Sequence, residues 1–237
     1  MPDKRFFYVN PSKVDGDKFT LDETESHHLS HVLRINSGEM IWLLDGSGMA
    51  YEGRVEQVGE SVTGIIQETH KKYGEPNVDV HIAVGIIKRD RFELLLEKGT
   101  EVGVKSISPL ILDRCIKKSI NLERCENIVQ SAAKQCGRSV FPKILQPVPL
   151  NEWLAAYPGS DRAVLHWDGK RSIREFSAGI KNGTAHFIVG PEGDFNEVEI
   201  SKIKKTDIDF ISLGERRLRS ETAAITAASF LINFNKP

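Results

Sequence analysis

Between residues 78 and 234 the chain alternates between short apolar runs and longer amphipathic segments, and this rhythm constrains the fold more than any other feature. Strands are predicted over 78–85, 106–112, 163–167, 185–189 and 210–213, and helices over 89–102, 122–136, 197–205 and 221–234. Strands that alternate with helices pair in parallel, because each crossover helix returns the chain to the same end of the sheet. The alternation predicts an α/β domain with a mostly parallel sheet covered on both faces.

The first seventy residues follow a different pattern. Short strands are predicted over 6–9, 40–44, 51–58 and 61–68, around one helix over 25–34 in which Leu29, Val32 and Leu33 share a face. Short strands at this spacing around a single helix indicate a small barrel. A polar segment that contains Gly74 and Pro76 separates the two patterns. We therefore expect two domains, residues 1–72 and residues 73–237.

Composition excludes several classes of protein. The 237 residues are 40% hydrophobic and carry a formal net charge of -1, so the chain is expected to fold. No apolar run approaches the roughly 20 residues of a membrane-spanning helix, and the first residues do not resemble a secretory signal. Three cysteines without a C-x-x-C pair indicate neither a disulfide framework nor a zinc ribbon. A reducing, cytoplasmic location is expected.

Charge is distributed unevenly between the two parts of the chain. Residues 1–74 contain eight Lys and Arg against twelve Asp and Glu, whereas residues 75–237 contain twenty-four against twenty-one. A polyanionic partner must therefore be bound by local basic clusters, because the protein has no strong overall positive field.

One turn carries the sharpest local signal for a ligand. Gly190-Pro191-Glu192-Gly193-Asp194 follows a predicted buried strand, and ligands of open α/β sheets bind at the carboxyl ends of strands. Pro191 removes a backbone N–H, while Glu192 and Asp194 add negative charge, so the turn would repel a pyrophosphate. It favours a neutral or cationic ligand. A tight turn without a ligand is the alternative interpretation.

A second strand end carries positive charge. Gly214 follows the strand at 210–213, and three arginines at 216, 217 and 219 precede a helix for which Ser220 is a plausible N-cap. A solvated cationic loop is the alternative. The helix over 221–234 is apolar nearly all round and rich in alanine, which indicates burial against another helix, a subunit interface or a tight chain crossing.

These two turns together resemble the RsmE family. The matching motifs are Gly190-Pro191-Glu192-Gly193, Leu213-Gly214 and Leu218-Arg219-Ser220-Glu221-Thr222. Further similar segments lie at 88–92, 97–104, 132–138 and, near the N-terminus, 28–38. RsmE proteins are bacterial methyltransferases of the SPOUT superfamily that modify ribosomal RNA. The similarity extends over nearly the whole chain, in order.

The resemblance implies a fold, a cofactor and a reaction. The fold would be a small PUA-like β-barrel followed by a SPOUT-type α/β domain whose C-terminal part forms a deep trefoil knot, a rare exception among proteins. The cofactor would be S-adenosyl-L-methionine, and the knot domain would form a homodimer. The reaction would be methylation of N3 of a uridine in 16S ribosomal RNA of the small ribosomal subunit.

The resemblance also implies site residues. The residues expected to bind the cofactor are Leu165, His166, Gly190, Pro191, Glu192, Gly193, Ile211, Leu213, Gly214, Leu218 and Thr222. One position departs from the family pattern, because Asp194 stands where a second glycine is common.

Catalysis and RNA binding need charged groups. Uridine N3 must lose a proton, so an arginine that stabilises the resulting anion is expected, with Glu192 and Glu221 as candidate bases. The residues expected to act in catalysis are Arg219, Glu221 and Arg138, and those expected to bind RNA are Arg5, Arg34, Lys88, Arg89, Arg91 and Arg114.

Three alternatives stay open on the sequence. His27 and His31 are four residues apart on one helix, a spacing that zinc sites use, but without a third ligand pattern no metal site is expected. The chain could retain the fold as an RNA-binding protein without catalysis. It could also be a SPOUT methyltransferase that acts on tRNA or on a ribose 2′-hydroxyl.

Overall fold

The computed structural model describes residues 4–159 and 161–234, which form two compact units. The first unit comprises residues up to Glu75 together with residues 130–141, and the second comprises 76–129 and 142 onwards. The first unit thus includes a segment that the sequence placed within the second domain, while the expected division after residue 72 stays a prediction. Among the described residues, no helix combines the length and hydropathy that crossing a membrane requires.

The first unit is built on a six-stranded sheet that is mainly antiparallel. Its strands are β1 (Phe6–Tyr8), β2 (Val14–Asp15), β3 (Lys18–Thr20), β4 (Met40–Leu44), β5 (Met49–Gln57) and β6 (Thr63–Lys71). They follow the order β1-β4-β5-β6-β3-β2, in which only β1 and β4 are parallel. Alternate residues such as Phe7, Phe19, Ile41 and Val55 point to one side and form the core of this unit.

The helix of this unit differs from its prediction. Helix α1 (Glu23–His27) begins at the N-cap Asp22, and the chain continues as a π-helical turn over His28–Val32. Leu29 is fully buried, whereas Val32 is 64% exposed, so the predicted shared face is wrong. A π-turn bonds residue i to i+5, as between Leu33 N and His28 O at 3.0 Å, and this extra residue rotates Val32 away from the core.

The second unit contains a parallel sheet, as the alternation of strands and helices predicted. The strands are β7 (Asp79–Gly85), β8 (Ser106–Ile111), β9 (Lys143–Ile144), β10 (Val148–Pro149), β11 (Arg162–Leu165), β12 (Arg171–Ser172), β13 (Thr184–Val189) and β14 (Asp209–Ser212). Their order is β10-β8-β7-β13-β11-β14-β12, with β9 also paired to β8, and every pairing is parallel.

Helices cover both faces of this sheet. They are α2 (Arg89–Val102), α4 (Leu150–Ala156), α5 (Ile173–Ala178), α6 (Glu197–Lys204) and α7 (Ser220–Phe234). Helix α3 (Leu122–Cys136) begins in the second unit, and its residues from 130 onwards belong to the first. On one face, Trp153 of α4 and Ile203 of α6 join a core with the strand residues Val164 and Ile188. On the other face, α5 places Phe176 against Phe187 of β13, and α7 packs on α2, β7 and β13. The predicted α/β fold class is confirmed.

The last strand is threaded through an earlier part of the chain. β11 and β12 are consecutive along the chain, yet β14 lies between them, so residues 166–170 cross over its carboxyl end. At Gly169 an added Cβ would fall 2.4 Å from the carbonyl carbon of Ile211, which shows how close this crossing is. After β14 the chain continues into α7, which packs against β7 and β13 in the middle of the sheet. This threading is what the predicted trefoil knot requires.

Candidate active site at three strand ends

Three neighbouring strands of the second unit end at one cavity. β13, β11 and β14 are adjacent in the sheet, and the turns that follow their carboxyl ends enclose a volume of about 390 Å³. The turns around Pro191 and ahead of the last helix, which the sequence singled out, therefore face the same space. This is the position at which open α/β sheets bind ligands, and the volume lies within the range of small-molecule sites.

Most of the residues expected to bind the cofactor line this cavity. They are Leu165, His166, Gly190, Pro191, Glu192, Ile211, Leu213, Gly214 and Leu218. Gly193 and Thr222 are not part of the lining: both are exposed, the first in the turn after β13 and the second on α7. Their expected contacts with a cofactor stay predictions.

The turn after β13 is fixed by contacts with two other parts of the unit. At Gly85 an added Cβ would lie 2.8 Å from both Pro191 N and Pro191 Cδ, so the absence of a side chain on β7 makes room for the turn. The Glu192 carboxylate accepts a hydrogen bond from Lys88 N at 3.0 Å, at the start of α2. The Arg114 guanidinium donates to Gly193 O at 2.8 Å. The turn is therefore held in one shape.

Asp194 occupies a backbone conformation that favours glycine. Its φ is 62°, and its side chain lines the cavity. Asp tolerates this left-handed region better than most residues, because its short side chain can bond locally. Here Oδ1 accepts a hydrogen bond from Phe195 N at 2.8 Å. The departure from the family pattern thus keeps the glycine-like backbone and adds a carboxylate to the wall.

His166 directly follows the last residue of β11 and lines the cavity. Its Nδ1 accepts a hydrogen bond from Asp168 N at 3.2 Å, so the neutral ring carries its proton on Nε2. The ring meets Phe210 edge-on with centroids 5.8 Å apart. Trp167, the next residue, also lines the cavity and is 74% exposed. Sequence reasoning did not include Trp167, although its place beside a strand end was a usable signal.

Part of the cavity wall is basic. Arg91, Arg216, Arg217 and Arg219 all line it, and the last three are exposed. The floor is apolar, with Leu165, Val189 and Ile211 buried at their strand ends. The cavity therefore combines an apolar base with one negative and one positive wall. Such a site can hold a ligand with an apolar ring and separated charges, and it leaves cations free for a second, anionic ligand.

The residues expected to act in catalysis are divided between different places. Arg219 lines the cavity, whereas Glu221 lies beside it, buried in the first turn of α7, where its Oε1 accepts a hydrogen bond from Arg91 Nη1 at 2.8 Å. Glu221 is therefore placed to hold Arg91 rather than to touch a ligand. Arg91 was expected to contact RNA phosphate, and its position in the cavity wall was not foreseen.

Arg138 does not line the cavity. It belongs to the first unit, where its guanidinium is buried and forms an ion pair with Glu75, with Nη2 and Oε2 3.1 Å apart. The same carboxylate accepts a hydrogen bond from Val140 N at 2.9 Å. Removing one partner of such a buried pair is strongly destabilising, because the other charge stays buried. The structure thus gives Arg138 a role in the stability of its unit, and its expected catalytic role stays a prediction.

The other residues expected to bind RNA lie mostly at the surface. Arg5 and Arg34 are exposed in the first unit, and Lys88 and Arg89 are exposed at the start of α2. Arg114 is exposed as well, but its guanidinium is engaged with the turn after β13. Lys88 and Arg114 both contact the turn after β13, and the RNA contacts of all these residues stay predictions.

The histidines considered for metal binding are stacked instead. The rings of His27 and His31 lie parallel with centroids 4.5 Å apart, and His31 Nδ1 is 2.8 Å from Ser30 Oγ. A different trio in the first unit, Glu52, Glu68 and His70, brings its side-chain ligand atoms within 4.8 Å of one another. Its members lie on the adjacent strands β5 and β6, so the spacing along the sequence gave no signal for it.

Two protein families match this chain, each over a different part of it. A family described as an RNA methyltransferase domain matches residues 74–232, and one described as an RNA methyltransferase PUA domain matches residues 21–67. Proteins named ribosomal RNA small subunit methyltransferase E from Rickettsia conorii and Bacillus subtilis are each 28% identical to the chain. The first aligns over 93% of this chain and 91% of its own length, and the second over 91% and 90%.

Solved structures show the same similarity. A ribosomal RNA small subunit methyltransferase E from Neisseria gonorrhoeae, bound to S-adenosyl methionine, superposes with a TM-score of 0.86 at 28% identity over 95% of both chains. A putative methyltransferase from Legionella pneumophila, in complex with the same cofactor, gives a TM-score of 0.84 at 31% identity over 96% of both chains.

Proposed function

Because the chain belongs to the RsmE family of RNA methyltransferases, with the family's PUA and methyltransferase domains in order, we propose that it transfers a methyl group from S-adenosyl-L-methionine to N3 of a uridine in 16S ribosomal RNA. Its substrate would be the small ribosomal subunit, and it would act in the cytoplasm. The observation that carries this proposal is the single cavity formed by the ends of β13, β11 and β14.

The residues of the cavity fit this cofactor. Its adenine ring needs an apolar slot, which Leu165, Ile211 and Leu213 provide. Its sulfonium and ammonium groups are cationic, and Glu192 and Asp194 supply negative charge on one wall. No phosphate has to be accommodated, which agrees with a turn whose proline lacks an N–H.

The reaction requires that the uracil ring lose its N3 proton and become negatively charged. When bound, the cofactor supplies an electrophilic methyl carbon whose bond to sulfur breaks with the electron pair remaining on sulfur. Uracil N3 must first lose its proton, here to water, so that its lone pair can form the new bond to carbon. The basic wall stabilises the negative charge that develops on the base, and Arg219 is in place to contribute.

The proposal includes a homodimer formed through the second unit. Trp167 presents a 74% exposed ring beside the cavity, and Leu94 on α2 is 42% exposed. Exposed apolar residues close to a ligand site are suited to a subunit contact. Sedimentation equilibrium that finds only monomer at micromolar concentration would contradict this part of the proposal.

Calorimetry with S-adenosyl-L-methionine tests whether the cavity binds the cofactor. We expect the wild-type protein to bind it and Leu213→Arg, which fills the cavity with a longer charged side chain, to weaken binding by more than about tenfold, or roughly 1.4 kcal/mol. Val198→Arg is the matched control, because Val198 is 61% exposed on α6 and does not line the cavity. Equal binding by both variants would place the cofactor elsewhere.

The target is tested on the ribosome. Mass analysis of 16S ribosomal RNA from a deletion strain should show the loss of one 3-methyluridine, and adding purified enzyme with cofactor to subunits from that strain should restore it. If the lost modification were a ribose methyl group or lay in tRNA, the assigned reaction would be wrong. Cofactor binding without any transfer would identify an RNA-binding protein without catalysis.

A further inference from the structure

Arg91 differs from the other arginines of the cavity wall in being anchored. It lies in the first turn of α2, and its side chain is 23% exposed. Its Nη1 donates to Oε1 of Glu221, a carboxylate that is only 5% exposed, at 2.8 Å. Arg216, Arg217 and Arg219 are exposed, and no ion pair holds them among the described residues. Arg91 is the cation of this wall whose position is fixed before any ligand arrives.

The pair that anchors Arg91 is incomplete. Arg91 Nε and Glu221 Oε2 are both buried, and neither has a hydrogen-bond partner among the described residues. By contrast, the pair formed by Glu93 on α2 and Arg124 on α3 is bidentate, at 2.6 and 2.8 Å, on a more exposed surface. A buried charged donor without a partner is unfavourable, and native proteins rarely leave one unless a ligand or function requires it. Arg91 is therefore anchored through a single hydrogen bond to Glu221, and the part of its side chain that stays exposed, 23%, lines the cavity.

The surrounding backbone also favours negative charge at this point. Arg91 lies in the first turn of α2 and Glu221 in the first turn of α7, helices of 14 and 15 residues. The N-terminus of a helix carries a partial positive charge and free N–H groups. Two such ends meet at the pair, where Glu221 is the carboxylate that contacts Arg91, while the Glu192 carboxylate accepts from Lys88 N at the start of α2. The two helix ends add partial positive charge beside Arg91.

We propose that Arg91 is a catalytic residue that stabilises the uracil imide anion of the target base, and that Glu221 is the positioning residue that holds Arg91 in place. This inference rests on the proposed function and assigns the charge stabilisation within it. The N3 proton leaves to water, the negative charge spreads over N3 and its two neighbouring carbonyl oxygens, and Arg91 donates to one of these oxygens. The N3 lone pair then forms the bond to the methyl carbon, and the charge on the base disappears.

The position of Arg91 favours a base over a backbone phosphate. A phosphate on the RNA surface is reached by exposed side chains, and Arg89, whose side chain is 75% exposed, lies two residues away. Arg91 is recessed and engaged by Glu221, so only a group inserted into the cavity can meet it. An uncharged base inserted this far gains little from a fixed cation, whereas its deprotonated form gains much more.

The test compares Arg91→Lys, Arg91→Ala and Glu221→Gln with the matched control pair Arg124→Lys and Glu93→Gln, which alters an Arg–Glu pair outside the cavity. For each protein, kcat and KM for 30S subunits are measured as a function of pH, cofactor affinity is measured by calorimetry, and folding is checked by urea unfolding. Arg91→Lys keeps the charge and the stem, so it remains informative if Arg91→Ala fails to fold.

We expect kcat to fall by about 100-fold in Arg91→Ala, at the lower end of the range seen when one donor to a developing anion is removed, and by less, roughly tenfold, in Arg91→Lys and Glu221→Gln, which each keep part of the pair. KM and cofactor affinity should stay within about twofold of wild type. The rate of these variants should continue to rise at pH values where the wild-type rate has levelled off, because the base anion is no longer stabilised. A merely structural role for the pair would not move this pH profile. The control pair should match wild type in every readout.

Three results would overturn the assignment. Cofactor affinity that falls more than tenfold in Arg91→Lys with an unchanged pH profile would place Arg91 on the cofactor's carboxylate. A higher KM that depends on salt, with kcat unchanged, would make it a phosphate contact. Wild-type values for all three variants would leave the pair without a role in the reaction. If the wild-type protein itself neither bound the cofactor nor methylated subunits, the proposed function would have failed first, so the two failures are distinguishable.

Discussion

At the scale of single residues, a few backbone positions determine the shape of the cavity. Gly85 leaves room for Pro191, and Asp194 takes a left-handed conformation at φ 62° that lets the chain turn back toward the next helix. Position 194 needs a residue that can adopt a positive φ, and the carboxylate of Asp194 in addition supplies negative charge to the cavity. The two contributions can be separated by substitution, because glycine satisfies the first and alanine satisfies neither.

We predict that Asp194→Ala lowers the free energy of unfolding by about 1–2 kcal/mol relative to Asp194→Gly, the usual cost of a left-handed conformation for a residue with a Cβ. Both variants lose the hydrogen bond from Phe195 N and the negative charge, so both should bind the cofactor less tightly than wild type. Urea unfolding and calorimetry provide the two measurements. Equal stability of the two variants would show that the backbone strain at this position is negligible.

At the scale of elements, two neighbouring strands bring a pair of histidines together in the sheet. His81 of β7 and His186 of β13 are register partners, and their rings stack with centroids 4.6 Å apart. Burial lowers the pKa of both, and for His186 the additional positive charges of His81 and Arg162 bring the pKa to about 4 from an ordinary 6.5. His81 Nδ1 is 2.7 Å from Ser106 Oγ, which fixes its ring.

This pair predicts a loss of stability in mild acid. Both histidines are neutral in the folded protein near pH 7 and bind protons more readily when unfolded, so their contribution is complete above about pH 6.5 and decreases as the pH falls toward 4. We expect the free energy of unfolding to fall by roughly 2–3 kcal/mol over this interval from His186, after allowance for its partial exposure.

Urea unfolding of wild type and His186→Phe at pH 7 and pH 4.5 checks this expectation. The variant keeps a ring against Tyr157 and Trp153 but cannot take up a proton, so its stability should depend less on pH in this interval. An identical pH dependence in His186→Phe and wild type would exclude His186 as the source.

At the scale of the whole molecule, the order of the parallel strands brings three strand ends to one cavity, and the connection between β11 and β12 crosses the end of the third. Residues 166–170 cross over the end of β14, and Gly169 lies against the backbone of Ile211 and Ser212 there. Because main-chain atoms surround this position, a new Cβ has nothing flexible to displace. The crossing therefore tolerates no side chain without movement of the strand that supplies Ile211 and Leu213 to the cavity.

We predict that Gly169→Ala destabilises the protein by more than about 3 kcal/mol, above the usual cost of overpacking because the clash is with backbone, and weakens cofactor binding in whatever fraction folds. Gly59→Ala is the control, since an added Cβ there meets nothing within 4 Å. Urea midpoints of the two variants provide the comparison. If Gly169→Ala unfolds at the wild-type midpoint, the crossing is looser than the structure shows.

The sequence predicted the long elements well, because each carries enough periodic residues to define a buried face. The predicted bounds of α2, with Phe92, Leu95 and Leu96 buried on one side, and of α3 agree with the structure. The short elements α4, α5, β2, β3, β9, β10 and β12 were missed. Segments of two to seven residues hold too few positions for a pattern, and contacts with the rest of the unit stabilise them.

By itself, the sequence determined the order of strands and helices, the parallel sheet and the two turns that face the cavity, because glycine, proline and apolar periodicity act through local geometry. Only the tertiary structure decided which charges meet. Glu221 lies 130 positions from Arg91, and Glu75 lies 63 positions from Arg138, yet each pair is buried together. Such pairing depends on how the chain threads and packs, and no spacing along the sequence encodes it.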